Sequence, residues 1–301
     1  MSVSAEIRPS QLPLPGGRQG ATVRLHPLLT GEVQVPPGLL ERPDGRFATI
    51  RGLGLGRGRG GWVWLPVPAF LVEHPGAGAI LVDTGLHPSV AIDPAQSFGR
   101  LAARLARFRM GARQAAPDQL RARGVNPADV AVVVMTHLHT DHASGVSEFP
   151  HATFVLDRRE WEVAIPRGGG LRGYRPAQFD HGFDWWGVDY DEPQVESFAD
   201  FGQTLDLFGD GSVRLVATPG HTLGHQSVLL RLGDREALLA GDAVYEMRTI
   251  ESDIDPLFVQ DRHLFWRSVR EIRRYVERTP GALVIPGHDR HHWPALEPVY
   301  G

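Results

Sequence analysis

His137, His139, Asp141 and His142 fall within the six residues His137-Leu138-His139-Thr140-Asp141-His142, directly behind an apolar run. Three more donors stand in similarly bare settings: His221 in Thr218-Pro219-Gly220-His221, Asp242 in Gly241-Asp242, and His288 in Gly287-His288. Imidazoles and carboxylates without any thiol suit zinc, iron, manganese or cobalt. His137 and His139, spaced i, i+2, point to the same side of an extended strand end and can reach one ion. Asp141 and His142 follow on a turn and suit a second ion, and Asp242 has two oxygens with which to bridge a pair. Two cations about 3.5–4 Å apart share a water whose pKa falls to about 7, which supplies hydroxide at neutral pH. The helical HExxH spacing of another class of zinc hydrolase is absent.

Such donors need strands to deliver them. Strand-like runs at Val130–Met135, Val213–Ala217, Ala237–Ala240 and Leu283–Ile285 each end just before one of the motifs. Further strands are expected at Ala69–Glu73 and Ala79–Val82, joined by a Pro75-Gly76 turn and closed by Asp83-Thr84-Gly85, and at Thr153–Leu156 and Val228–Leu232. Helical spacing links Phe98, Leu101, Leu105 and Phe108, and Pro117 to Arg123 reads as a short helix ended by Gly124. A longer helix begins after Asp261, a good N-cap, with Phe265, Val269, Ile272 and Val276 on one face. Strands with helices between them argue for α/β sheets covered by helices, and loops leaving the strand ends converge on one edge.

The chain of 301 residues reads as one domain, 21–301, behind a loose Pro- and Gly-containing arm, 1–20. Residues 168–187, with Tyr174, Phe179, Phe183, Trp185 and Trp186, read as an aromatic lid or rim loop. Those rings, with Trp62 and Trp64, either line an apolar channel or bury themselves in the core or a dimer interface. Gly56, Gly58 and Gly61 spell GxGxxG, but Trp62-Val63-Trp64 follows in place of a helix, so no dinucleotide site is expected. His225 is expected to hydrogen-bond locally, and His26, His74, His87, His151, His181 and His263 to lie at the surface. His291 and His292 fit a solvated C-terminal loop. All basic residues are Arg, which leaves no lysine for Schiff-base chemistry, and without cysteine there is neither a disulfide nor a thiolate nucleophile. A net charge of −4 gives no reason to expect nucleic acid or a membrane surface as partner. With no signal-like N-terminus and no apolar stretch of membrane length, a cytoplasmic protein is expected.

The HxHxDH hexapeptide, the later Pro-Gly-His, the Gly-Asp and the final Gly-His together resemble the metallo-β-lactamase superfamily, from about Leu65 onward. That resemblance implies an αββα sandwich with two divalent metal ions, zinc first among the four, along one edge. It assigns His137, His139 and His221 to the first ion, Asp141, His142 and His288 to the second, and Asp242 to the bridge. The local match is to the N-acyl homoserine lactonases: Ile80-Leu81-Val82-Asp83-Thr84-Gly85, the run from Thr218 to Ser227, and Asp242-Ala243-Val244-Tyr245 are similar to that branch. It implies a small-molecule lactone as partner, opened by metal-dependent hydrolysis. Tyr245 would then stabilise the developing oxyanion, Asp141 carry the proton, and Asp83 support the metal ligands. A phosphotriesterase-like or glyoxalase-II-like hydrolase and a non-catalytic metal-binding protein are the alternatives, and a homodimer is left open.

Overall fold

The computed structural model describes residues 3–54, 58–166 and 169–301. Gly56, which opens the GxGxxG spacing, and Gly168, at the start of the expected lid, lie outside the described residues. In chain order the first strands are β1 Ile7–Pro9, β2 Arg24–Val35, β3 Val63–His74, β4 Gly78–Val82, β5 Arg107–Arg109, β6 Val132–Val134 and β7 Thr153–Asp157. They are followed by β8 Asp184–Val188, β9 Glu196–Phe198, β10 Phe201–Asp206, β11 Val213–Ala217, β12 Gln226–Arg231, β13 Glu236–Gly241 and β14 Leu283–Pro286. The helices are α1 Ala48–Gly52, α2 Pro94–Phe98, α3 Arg100–Leu105, α4 Ala116–Ala122, α5 Thr140–Ala143, α6 Arg158–Ala164, α7 Met247–Ser252 and α8 Arg262–Arg278.

The strands form an eight-stranded sheet, β1-β8-β7-β6-β4-β3-β2-β5, and a six-stranded sheet, β14-β13-β12-β11-β10-β9. Alternation along each strand sets the layers, because successive side chains point to opposite faces. Val82, Val134 and Val155 of the first sheet pack against Leu215, Leu230 and Leu239 of the second. The outer faces are covered separately: Leu81, Val133 and Trp185 pack with Leu120 of α4 and Trp161 of α6. Val216, Leu238 and Val284 pack with Ile272 and Tyr275 of α8. The result is the helix–sheet–sheet–helix sandwich expected from the resemblance.

Several local expectations change. From residue 3 on, the expected arm is docked: β1 pairs in parallel with β8 at Ile7 and Trp185, and Ala5 and Leu14 are buried. The end of the expected lid is this same β8, which also pairs with β7, and both Trp185 on it and Phe179 before it are fully buried core residues. Their indole and phenyl faces have more apolar surface to hide than a solvent-facing loop could cover. The Phe98–Phe108 run is not one helix, because Gly99 turns at φ 79 between α2 and α3. Phe108 instead lies on β5, where its ring stacks on Phe98. His74 is not at the surface either: its Nδ1 accepts from the Gly76 and Ala77 amides, and its Nε2 lies 3.1 Å from Asp210 and 2.9 Å from the Ser212 hydroxyl. A fully partnered imidazole can be buried cheaply. His26, 2.9 Å from Glu73, is buried for the same reason.

Candidate metal centre

The apolar runs end where both sheets open on one edge. β6 leads to His137 and His139, the turn α5 carries Asp141 and His142, β11 leads to His221, β13 to Asp242, and β14 to His288. Close packing explains the glycines that precede two of the donors. A Cβ on Gly220, at φ 139, would stand 2.1 Å from the backbone nitrogen of Phe265, and one on Gly287 would stand 2.5 Å from Asp242 Oδ1.

The donors form two groups. Ligand atoms of His137, His139, His221 and Asp242 lie within 4.8 Å of one another, and so do those of Asp141, His142 and His288. Asp242 faces both. Its Oδ2 lies 3.2 Å from His221 Nε2 and 3.8 Å from His137 Nε2. Its Oδ1 lies 3.3 Å from His142 Nε2 and 3.2 Å from His288 Nε2. Asp141 Oδ2 stands 3.5 Å from His288 Nε2. The Nε2 atoms of His137 and His142 and Asp242 Oδ1 are buried with no hydrogen-bond partner in the protein. Buried polar atoms left unpaired are costly, so this many converging lone pairs fit divalent cations.

Surrounding bonds turn His137, His142 and His288 so that Nε2 of each faces inward. His142 Nδ1 is 2.8 Å from Asp83 Oδ2, and His288 Nδ1 is 2.8 Å from the Pro66 carbonyl. Thr136 donates its hydroxyl to Asp83 and stands 3.0 Å from His137 Nδ1. Asp83 also accepts from the Thr136 amide and holds a left-handed φ of 55, a strained conformation spent on carrying these contacts. His225 is not a donor to the cluster. Its Nε2 accepts from the Asp242 amide at 3.0 Å, while its Nδ1 bonds Thr218, which reaches Ser227 in turn.

Electrostatics follows burial and this geometry. Burial pushes His137 and His221 well below the usual imidazole range, His139 to about 4 and His225 to about 3, which favours the neutral ring in each; in His137, His139 and His221 that form suits metal binding. Against the burial that opposes its charge, the imidazoles of His288, His142 and His221 hold the Asp242 carboxyl well below the carboxylate range. In the second group the balance reverses: despite burial, Asp242 above all holds His142 and His288 up, with Asp83 and Asp141 adding to it.

Tyr245 reaches the cluster from the third residue after Asp242. Its hydroxyl is 2.9 Å from His221 Nδ1, and its ring stacks on His288 with centroids 5.8 Å apart. A cavity of about 600 Å³ opens over Asp141, Asp242, Tyr245 and His288, walled by Val33, Leu40, Leu65, Leu223 and Phe258. The rings of the 179–186 segment take no part in that wall. Its earlier residues do reach the site: Arg172 and Gly173 line the cavity, and the Tyr174 ring lies 4.9 Å from that of His139.

A sequence model of the metallo-beta-lactamase superfamily matches residues 62–288, the span that holds all the donors. The chain belongs to that superfamily. It is 36% identical over 240 residues to the N-acyl homoserine lactonase AttM of Azorhizobium caulinodans, covering 79% of this chain and 87% of that one. A probable metallo-hydrolase of Mycobacterium tuberculosis is 32% identical over 231 residues, covering 70% and 71%. The fold superposes on an N-acyl homoserine lactone hydrolase solved with N-hexanoyl-L-homoserine at its catalytic metal centre. That match has a TM-score of 0.71 and 23% identity, and it covers 93% of this chain and 100% of the other.

Residues that the motifs did not single out also belong to the site. Thr136, Pro66 and Gln260 contribute through a hydroxyl, a carbonyl and a line of loop bonds, features that leave no mark in composition or spacing. Glu160 stands in no spacing that ties it to the donors, so no motif pointed to it.

Proposed function

We propose that the protein is a dinuclear metallohydrolase that opens lactones, N-acyl homoserine lactones foremost. The observation that carries this reading is the Asp242 carboxylate, with one oxygen on each donor group, at the base of an apolar cavity beside the Tyr245 hydroxyl. The kinship with chains named as N-acyl homoserine lactonases supports it. His137, His139 and His221 would hold one ion and Asp141, His142 and His288 the other, zinc being the first choice. Divalent ions bound there supply Lewis acidity and a water of lowered pKa.

The protein's own groups do the rest. Valine and leucine walls accept an acyl chain and exclude water from the reacting end. When His221 offers Nε2 to metal, its proton sits on Nδ1, which donates to the Tyr245 oxygen. The tyrosine hydroxyl is then free to donate to the lactone carbonyl oxygen, a role typically worth about 10²–10³ in rate. Asp141, at the cavity floor, accepts the proton of the attacking water and returns it to the ring oxygen as the acyl C–O bond breaks.

Indicator-linked hydrolysis tests this on butanoyl to dodecanoyl homoserine lactones, plain γ- and δ-lactones, paraoxon and S-lactoylglutathione. The expected result is fast opening of acyl homoserine lactones, abolished by a chelator and restored by zinc. Turnover of only the phosphotriester or the thioester would refute the lactone assignment.

A further inference from the structure

Glu160 is a carboxyl with no surface. It is the third residue of α6, whose N-cap Asp157 accepts from the Arg159 amide at 2.8 Å. Asp-x-x-Glu at a helix start ordinarily signals a capping box, in which the glutamate reaches back to the N-cap amide. Here Glu160 Oε1 accepts instead from the Leu138 amide at 2.9 Å, on the short stretch between His137 and His139. The helix lies hard against the loop after His221, where a Cβ on Gly224 would come 2.1 Å from the Glu160 backbone nitrogen. On that loop the Thr222 hydroxyl is buried near Glu160, and the Tyr174 hydroxyl approaches from beside His139. Neither completes a well-formed bond to Oε2, which is buried without a partner. Gln260 ties the same segments together: it donates to the Tyr174 hydroxyl at 2.9 Å, accepts from the Leu223 amide, and donates its own amide to the His221 carbonyl.

We propose that Glu160 is the positioning residue of the first donor group, anchoring the Leu138 amide between His137 and His139 while its helix packs on the His221 loop at Gly224, so that His137, His139 and His221 aim at one ion. The second group leans on different supports, Asp83 behind His142 and the Pro66 carbonyl behind His288. The two ions should therefore be separable by mutation. This inference rests on the dinuclear reading above.

Stepwise cobalt titration, followed by visible absorption with a competing chelator, gives the affinity of each step directly. Wild type should show two steps. Glu160→Gln, which keeps an acceptor for Leu138 and places a donor toward Thr222, should stay within about threefold of wild type. Glu160→Leu should weaken one step about 10- to 100-fold and leave the other unchanged, the scale expected when a support behind a metal ligand is lost. Leu120→Ala, a buried change on α4 with no hydrogen bond to any donor, should lower the melting temperature and spare both steps. Equal weakening of both steps by Glu160→Leu, no weakening at all, or the same selective loss in Leu120→Ala would overturn the proposal. If Glu160→Leu does not fold, Glu160→Ala, which removes the acceptor of the Leu138 amide without adding apolar bulk, decides: selective loss of one step supports the proposal, and unchanged steps refute it. A single step in wild type would sink the two-ion reading by itself, and Glu160 would then stand or fall on whether Leu weakens that step.

Discussion

At the scale of the residue, the centre depends on which nitrogen carries each proton. Asp83 and the Pro66 carbonyl claim the Nδ1 protons of His142 and His288, so Nε2 of each faces inward. Tyr245 works by the same logic from the other side of His221. Tyr245→Phe keeps the ring stacked on His288 and removes one donor, so metal content should be unchanged while kcat falls about 10²–10³-fold. Metal analysis beside steady-state kinetics checks it, and a wild-type rate would remove Tyr245 from the chemistry. Burial pushes the Glu160 carboxyl up to about 7, from an ordinary value of 4.5. A carboxyl with a raised folded pKa lends stability at low pH and loses it as pH rises toward the folded value. The metal-free protein should therefore lose stability from this group between about pH 4.5 and 7, and Glu160→Gln should flatten that portion of the profile. Urea melts of the two proteins across this range, compared by difference, give the answer.

At the scale of the element, each strand serves as a rail that ends in a tight turn. Gly287 lets the β14 exit pass against Asp242, and its amide bonds the Gly241 and Val244 carbonyls. Gly287→Ala forces a methyl to within 2.5 Å of Asp242 Oδ1, so the bridging carboxylate must rotate or the turn must move. Metal content should drop and activity fall at least about tenfold with the fold intact, since a misplacement on the scale of 1 Å costs about 10²-fold. Circular dichroism and metal analysis separate that outcome from unfolding. Elements with an unbroken apolar stretch before a donor, such as Ala237–Ala240 in β13 and Leu215–Ala217 in β11, were legible in the sequence because burial on both faces selects apolar side chains there. β2 was not legible: Pro27 and Gly31 interrupt its alternation, and the register shifts between Leu29 and Gly31 where it pairs with β3. β8 hid behind its tryptophans, which read equally well as a rim and as a core. Glu160 was not legible either, because no spacing ties it to the donors.

At the scale of the whole molecule, the metal centre belongs to neither sheet alone, because His137 and His139 leave the first and His221, Asp242 and His288 leave the second. The cavity above it is likewise shared, with β2, the turn after it and β3 on one side of the chain and Leu223 and Phe258 from later loops. Leu40→Trp should shrink that space from the wall, and raise KM for decanoyl relative to butanoyl homoserine lactone by about tenfold at similar kcat, in line with the cost of a few displaced methylenes. Parallel KM measurements on the two chain lengths test it, and an equal rise for both would show that the chain lies elsewhere. Among the described residues no helix is long and apolar enough to cross a membrane.

The sequence by itself determined the donor set and its place at strand ends, because metal ligation demands particular side chains and strand exits demand apolar runs before them. It also limited any metal site to imidazole and carboxylate, since no thiol is available. Only the tertiary structure decided that Asp242 turns one oxygen to each group, that both nitrogens of His225 are taken by the Asp242 amide and Thr218, and that Phe179 and Trp185 are core. Those outcomes depend on distances of a few ångströms between residues far apart in the chain, which close packing fixes and local pattern does not encode.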